Sequence, residues 1–234
     1  LKPYYEHGGI TIYHADCREV LPCVTADSVI TDPPYNCGKD YGTWNDSLPS
    51  DEYAAIMRDI VHLTAELTDR QAWVAPRYQL GLWLQLLPSA HLVVIERGAA
   101  GPYRGGWSDQ FEIALACGKP ARCIGDLWRN IRLKGEGYFF REETFGHPGY
   151  TPFPIMYRFS KLFPGTICDP FAGTGTTLWA AKNLGHKAIG IEIEERYCEI
   201  AAKRLSQEVF DFPTNSTDRV PGRDPVDTIS GDAS

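Results

Sequence analysis

Thr166-Ile167-Cys168-Asp169-Pro170-Phe171-Ala172-Gly173-Thr174-Gly175-Thr176-Thr177 is the stretch that decides the fold. Its first four residues read as a short apolar strand, Phe171 to Gly175 as a glycine-bearing turn, and Thr176 to Leu184 as a helix. Glycines allow a tight turn and close approach of the backbone to a ligand, while a helix start offers N–H groups that have no intrahelical partner. Strand, turn and helix in this order form a ligand-binding βα unit of an α/β protein. Ala188 to Glu192 reads as the next strand and Glu195 to Leu205 as the next helix. Glu192 closes its strand, where an acidic side chain can accept the hydrogens of ribose hydroxyls; a surface carboxylate is the alternative. No Gly-Lys-Thr or Gly-Lys-Ser follows Gly175, and Leu178 stands where a longer dinucleotide pattern has its third glycine. The loop suits a ligand with a nucleoside but no polyphosphate.

Toward the N-terminus, Ser28 to Thr31 reads as a strand that runs into Asp32-Pro33-Pro34-Tyr35-Asn36. The prolines stop the ladder and stiffen the exit, so Asp32 sits at the carboxyl edge of a strand, where α/β sheets place chemistry. Cys37 to Ser50 reads as a loop at the mouth of a pocket. Further strands are expected at Ile10–Tyr13, Ala72–Ala75, Leu92–Ile95 and Phe111–Ala116, with helices at Asp51–Leu67 and Gln79–Leu87. This alternation predicts a layered α/β domain. Gly98 to Tyr150 is interrupted by glycines. The expected organisation is a single catalytic domain over residues 1–213, with 98–146 a small target-recognition insertion and 214–234 a flexible tail.

Bulk properties narrow the class. With 234 residues, 43% hydrophobic and 23% charged, the chain can bury one substantial core. Its apolar runs, such as His91-Leu92-Val93-Val94-Ile95, are too short for a membrane helix, and the N-terminus lacks a signal-peptide pattern, so a cytoplasmic setting without a membrane partner is expected. Seven cysteines without close CxxC pairs favour reduced thiols, and six scattered histidines give no support for a metal site. The net charge is −7, yet Arg97 to Arg141 holds eight basic and four acidic residues. That window could meet nucleic acid, with Arg129, Arg132 and Lys134 the nearest candidates for phosphate contact; a solvated mixed-charge face is the alternative.

Asp32-Pro33-Pro34-Tyr35 together with Asp169-Pro170-Phe171-Ala172-Gly173-Thr174-Gly175-Thr176-Thr177 resembles the amino-group DNA methyltransferases that use S-adenosylmethionine, and Gly190-Ile191-Glu192, Tyr197, Ala201 and Arg204-Leu205 add to the match. The catalytic segment precedes the cofactor loop, as in the beta class. The resemblance implies a Rossmann-like methyltransferase fold: a mostly parallel twisted sheet with helices on both faces and a circularly permuted motif order. It implies transfer to the N6 amine of adenine in double-stranded DNA after base flipping, in a restriction-modification setting. By the same resemblance Asp32 and the Pro33 carbonyl accept hydrogens of the target amine, Pro34 holds the turn, and Tyr35 stacks on the extruded base. Asp169, Phe171, Gly173, Gly175, Thr176 and Glu192 fall to the cofactor, and Asp16, in His14-Ala15-Asp16-Cys17, to its adenine.

Cys37 follows Asp-Pro-Pro-Tyr-Asn instead of sitting in a Pro-Cys arrangement, so it reads as a loop residue and not a nucleophile. An Asp at the first motif position favours adenine, since cytosine-amine members more often carry Ser there. The alternatives are N4-cytosine methylation, the same cradle acting on RNA, protein glutamine or another planar amide, and a degenerate DNA-binding or partner module. The resemblance leaves room for a homodimer or an accessory protein. His147-Pro148-Gly149-Tyr150-Thr151-Pro152 keeps only part of a His-Pro-Thr-x-Lys-Pro-like segment and lacks its lysine.

Overall fold

The structure, a computed structural model, describes residues 1–96, 103–104, 107–108, 111–123, 125–128 and 153–206. Arg129, Arg132, Lys134, the His147 segment, most of the 98–146 insertion and the 214–234 tail lie outside the described residues.

In chain order the elements are β1 (Tyr5–His7), β2 (Ile10–His14), α1 (Cys17–Val20), β3 (Ser28–Thr31), α2 (Ser50–Leu67), β4 (Gln71–Ala75), α3 (Leu80–Leu86), β5 (His91–Glu96), β6 (Tyr103–Arg104), β7 (Trp107–Ser108), β8 (Phe111–Cys117), β9 (Leu127–Trp128), α4 (Phe153–Leu162), β10 (Ile167–Asp169), α5 (Thr176–Asn183), β11 (Ala188–Glu192) and α6 (Glu195–Ser206). Nine strands form one sheet in the order β1-β2-β11-β10-β3-β4-β8-β5-β9, and β6 pairs with β7 apart from it. From β2 through β4 the neighbours are parallel; β8 runs antiparallel between β4 and β5, and β1 is antiparallel to β2.

The central strands β3, β4 and β10 are buried along their whole length because helices cover both faces of the sheet there. Ile30, Ala72, Val74, Ala114 and Ile167 point toward α4, α5 and α6, where they meet Met156, Phe159, Leu178, Ala181 and Ala201. Their neighbours Val29, Trp73, Ala75, Ile113, Leu115 and Cys168 point the other way, toward Val20, Tyr53, Met57, Ile60 and Trp83 of α1, α2 and α3. The alternation is the period-2 signature of a strand. Tyr53, Met57, Ile60, Val61 and Thr64 line one side of α2 at helical spacing, which fixes its buried stripe.

Successive units run in opposite directions across this sheet. β3 leads to β4 on one side, while β10 leads to β11 on the other. The reversal falls between β10 and β3, and crevices outside the carboxyl ends of strands at such a reversal are where α/β proteins bind ligands. Asp169 ends β10 and Asp32 directly follows β3. The two most informative segments of the sequence therefore meet at one place.

Candidate active site

Asp169 joins the two segments from beneath. Its buried carboxylate accepts the Thr31 hydroxyl of β3 at 2.6 Å and the Phe171 N–H at 3.0 Å, so the end of one strand is tied both to its neighbour and to its own turn. Burial pushes this carboxyl up to about 6, while the hydrogen bonds from Thr177, Thr31 and Phe171 pull it back. Gly173 and Gly175 both have positive φ, 51° and 83°. Gly175 caps α5, and a Cβ placed on it would lie 3.0 Å from the Ala201 Cβ of α6. Its glycine thus serves backbone conformation and close helix packing. Arg204 of α6 holds the same turn from outside, donating to the Thr174 carbonyl at 2.6 Å.

Glu192 meets the turn from β11. One carboxylate oxygen accepts the Gly173 N–H at 2.8 Å and the other accepts the Glu194 N–H at 2.8 Å. Each oxygen has a second lone pair for a further donor. Burial raises this carboxyl to about 7 despite the two backbone bonds. Asp16 caps α1 by accepting the Arg18 N–H at 2.9 Å and is gripped by the Arg18 guanidinium at 3.0 Å and 3.1 Å through Nε. That side-chain hydrogen bond keeps Asp16 below the usual carboxylate range, against the cost of partial burial.

On the catalytic side the Tyr35 hydroxyl donates to Asp32 Oδ1 at 2.5 Å. Burial pushes Asp32 up to about 7; the Tyr35 bond holds it down, and the negative charges of Glu112 and Asp169 oppose that while Lys39 assists it. The residue is half-buried in the cavity wall. The chain beyond Asp32 is fixed carbonyl by carbonyl. Tyr53 donates to the Pro34 carbonyl at 2.8 Å, and Gln79 Nε2 and the Tyr78 hydroxyl donate to the Tyr35 carbonyl at 2.9 Å and 3.3 Å.

Asp46, which the sequence did not single out, organises the loop after this turn. Its buried carboxylate accepts the N–H groups of Asn36 at 2.7 Å, Cys37 at 3.0 Å and Lys39 at 3.0 Å. Asn36, at φ 52°, exchanges two hydrogen bonds with Leu48 across the base of the loop. The far end is tied to the cofactor side, because Glu194 accepts the Thr43 N–H at 2.9 Å and the Thr43 hydroxyl at 2.8 Å.

A single cavity gathers these parts. Asp16, Asp32, Pro33, Pro34, Tyr35, Phe171, Gly173 and Glu192 all line it, together with Lys39, Tyr41, Trp44, Glu112 and Tyr197. Asp169, Gly175 and Thr176 do not line it; Asp169 lies under the floor, and Gly175 and Thr176 form the start of α5. The Trp44 Nε1 is buried and has no hydrogen-bond partner among the described residues. Lys39 stands over the Tyr35 ring, its Nζ 5.6 Å from the centroid. Among the described residues, no group of three or more His, Cys, Asp or Glu is placed to hold a metal ion. Nor is any helix among them long and apolar enough to cross a membrane.

Fold and cavity define an α/β group-transfer protein with a nucleoside-type loop facing an Asp-Pro-Pro-Tyr turn. Comparison with known proteins gives the family. Residues 123–203 match the family described as DNA methylase. The chain is 55% identical to the Type II methyltransferase M2.DpnII of Streptococcus pneumoniae, over 88% of this chain and 93% of that one. It is 25% identical to the Type II methyltransferase M.ScaI of Streptomyces caespitosus, over 88% of this chain and 84% of that one. The chain belongs to the DNA methylase family of amino-group methyltransferases. Solved structures share the fold: the M1.HpyAVI–SAM complex at TM-score 0.62 and 22% identity, covering 85% of this chain and 100% of that one, and the cytosine-N4-specific PvuII DNA methyltransferase at TM-score 0.69 and 16% identity, covering 89% and 90%.

Proposed function

We propose that this chain transfers a methyl group from S-adenosylmethionine to the N6 amine of adenine in double-stranded DNA, with the base extruded into the cavity. The observation that carries the reading is the placement of Asp32 and Tyr35 in the same cavity as Phe171, Gly173 and Glu192, at the reversal of the sheet.

The chain's own groups fit the cofactor. Glu192 would take ribose hydroxyls on the lone pairs left after Gly173 and Glu194; Phe171 and Gly173 would flank the ligand; Asp16 would approach the adenine edge while keeping Arg18. When bound, S-adenosylmethionine supplies an electrophilic methyl group on a positively charged sulfur. Asp32 and the Pro33 carbonyl accept the two hydrogens of the target amine, which orients the nitrogen lone pair toward the donor side. The Asp32 charge then favours the positive charge that develops on that nitrogen. With a carboxyl near 7, Asp32 can also hold the proton that leaves. Tyr35 and its neighbours offset the lost base stacking.

Asp at position 32 supports adenine over cytosine. The test is transfer of a labelled methyl group into duplex DNA followed by nucleoside separation. N6-methyladenine is expected; N4-methylcytosine alone would overturn the base assignment, and cofactor binding without product on any duplex would favour a degenerate binding module. Residues 98–146, with Arg129, Arg132 and Lys134, stay the candidates for target recognition, and their substitution should lower the salt dependence of DNA binding.

A further inference from the structure

Beside the base cavity lies a surface that the transfer chemistry does not use. β4 ends at Ala75, and the turn Arg77–Gln79 follows it directly. Gln79 points inward to the Tyr35 carbonyl, but Tyr78 is 61% exposed while its hydroxyl reaches the same carbonyl. The Arg77 guanidinium covers the ring of Phe111, 5.0 Å from its centroid, and Phe111 is itself 40% exposed at the start of β8. Phe111 is followed by Glu112, which lines the cavity. Two large exposed aromatics and an exposed cation thus lie close to cavity-lining residues, Tyr78 through the Tyr35 carbonyl and Phe111 as the chain neighbour of Glu112.

Exposed apolar side chains scattered singly are ordinary, whereas neighbouring ones rimmed by polar groups mark interaction sites, and here Phe111 lies under Arg77 with Tyr78 next in the chain. A duplex that has given up a base presents what this strip could meet: unstacked base faces and phosphates next to the gap. Aromatic rings stack on any base, and Arg binds phosphate while resting on an aromatic face. We propose that Tyr78, Arg77 and Phe111 form the surface that receives the DNA strand immediately around the extruded base, with the Tyr78 ring stacking on a neighbouring base and Arg77 meeting a phosphate. This rests on the methyl-transfer reading above and extends it to the flanking nucleotides. The strip is linked to the cavity-lining residues at two points, the Tyr78 hydroxyl on the Tyr35 carbonyl and Phe111 beside Glu112 in the chain, and an Arg resting on an aromatic ring suits a nucleic acid better than an apolar protein partner. Tyr78 is the residue that decides the matter.

The experiment uses the full chain and a duplex carrying its methylation site, located beforehand by sequencing DNA that the wild-type protein has methylated. Failure of the wild type to methylate any duplex would overturn the methyl-transfer reading itself. With an active wild type, Tyr78→Ala, Tyr78→Phe and Arg77→Ala are compared by the Kd for DNA, the Kd for S-adenosylmethionine and the fluorescence of 2-aminopurine at the target. Tyr78→Ala should weaken DNA binding about tenfold and lower the extrusion signal, with cofactor affinity unchanged. Tyr78→Phe, which keeps the ring and loses the 3.3 Å bond, should stay within about twofold of wild type. Arg77→Ala should reduce the salt slope by about one. Equal damage from Tyr78→Phe and Tyr78→Ala would show that Tyr78 only braces Tyr35, and would overturn the inference. So would wild-type DNA binding in Tyr78→Ala, including the case where its sole change is in self-association.

Discussion

Replacing Asp32 by Asn separates the cost of this carboxylate from its proposed use. Asn keeps the size of the side chain and an oxygen that can accept the Tyr35 hydroxyl, so the change removes charge and little else. The carboxyl titrates near 7 in the folded protein against an ordinary 3.8. The folded state therefore binds this proton more tightly than the unfolded one. Its contribution to stability is complete below about pH 4 and is lost as the pH rises to about 7. At about 1.4 kcal/mol for each pH unit between those midpoints, the ionised group costs at most about 4 kcal/mol at pH 8. Water entering the cavity reduces this to about 2 kcal/mol. Asp32→Asn should then be more stable than wild type by about 2 kcal/mol at pH 8, a gain in Tm of roughly 4–8 °C, with the advantage shrinking steadily toward pH 4. Methyl transfer should fall by about 10²–10³-fold, because the neutral amide no longer favours positive charge on the target nitrogen. Thermal melts of both proteins at pH 5, 6, 7 and 8 decide the matter. A difference independent of pH, or a less stable Asn variant at pH 8, would refute the assignment of a half-buried carboxyl with a raised pKa.

Asp46→Ala leaves the N–H groups of Asn36, Cys37 and Lys39 without their acceptor, and urea unfolding should show a loss of about 2–3 kcal/mol; Asp46→Asn should recover part of it because one oxygen remains. Gly175→Ala forces an L side chain to φ 83° and sets a Cβ 3.0 Å from Ala201, so denaturation should report a cost of about 1–3 kcal/mol. Glu192→Gln turns one acceptor into a donor facing either the Gly173 or the Glu194 N–H, and calorimetry should find affinity for S-adenosylmethionine reduced at least about tenfold. Unchanged affinity would reject the ribose role.

Most of the longer strands and two of the long helices were legible because burial on both faces writes apolar runs such as Ala72 to Ala75, and burial of one helix stripe writes the spacing of Tyr53, Met57 and Ile60; the short strands Tyr5–His7, Tyr103–Arg104, Trp107–Ser108 and Leu127–Trp128 carry too few residues to write such a run. The helix Phe153–Leu162 escaped notice. Pro152 and Pro154 argue for a turn, yet the buried side chains Phe153, Ile155, Met156, Phe159 and Leu162 form a helical stripe once a proline is allowed in the first turn. Within the cavity, the residues proposed to carry chemistry stand out by motif, but those that hold them do not. Asp46 is one polar loop residue among Asp40, Asn45 and Ser47, and its partners are backbone N–H groups that only the folded loop brings together. Tyr53 announced itself as part of an apolar stripe; its hydroxyl, which fixes the Pro34 carbonyl, has no signature in spacing. Gly175 reads as a ligand contact because glycine serves close approach of any kind, and here the close neighbour is Ala201.

The reversed motif order leaves the site intact for a reason visible in the sheet. Thr31 and Asp169 are 138 residues apart in sequence and 2.6 Å apart in space. What the chemistry requires is that the carboxyl ends of β10 and β3 be neighbours, and strand pairing supplies this whichever strand is made first. The same holds for the loop 36–48, which leaves the catalytic turn, crosses the cavity and is fastened by Thr43 to Glu194, two residues beyond the proposed ribose carboxylate. Permutation moves only the chain ends and the connections; among the described residues, the two segments are coupled by the β10–β3 ladder, the Thr31–Asp169 hydrogen bond and the Thr43–Glu194 contacts. The cost falls on folding. Among the described residues β2 pairs in parallel with β11 alone, whose residues lie far along the chain, so completing the N-terminal side of the sheet needs a contact of long sequence separation, which slows folding. Ile10 and Ile12 become part of the core at that step, and the Ala15–Glu192 backbone bond then brings Asp16 to the rim of the same cavity.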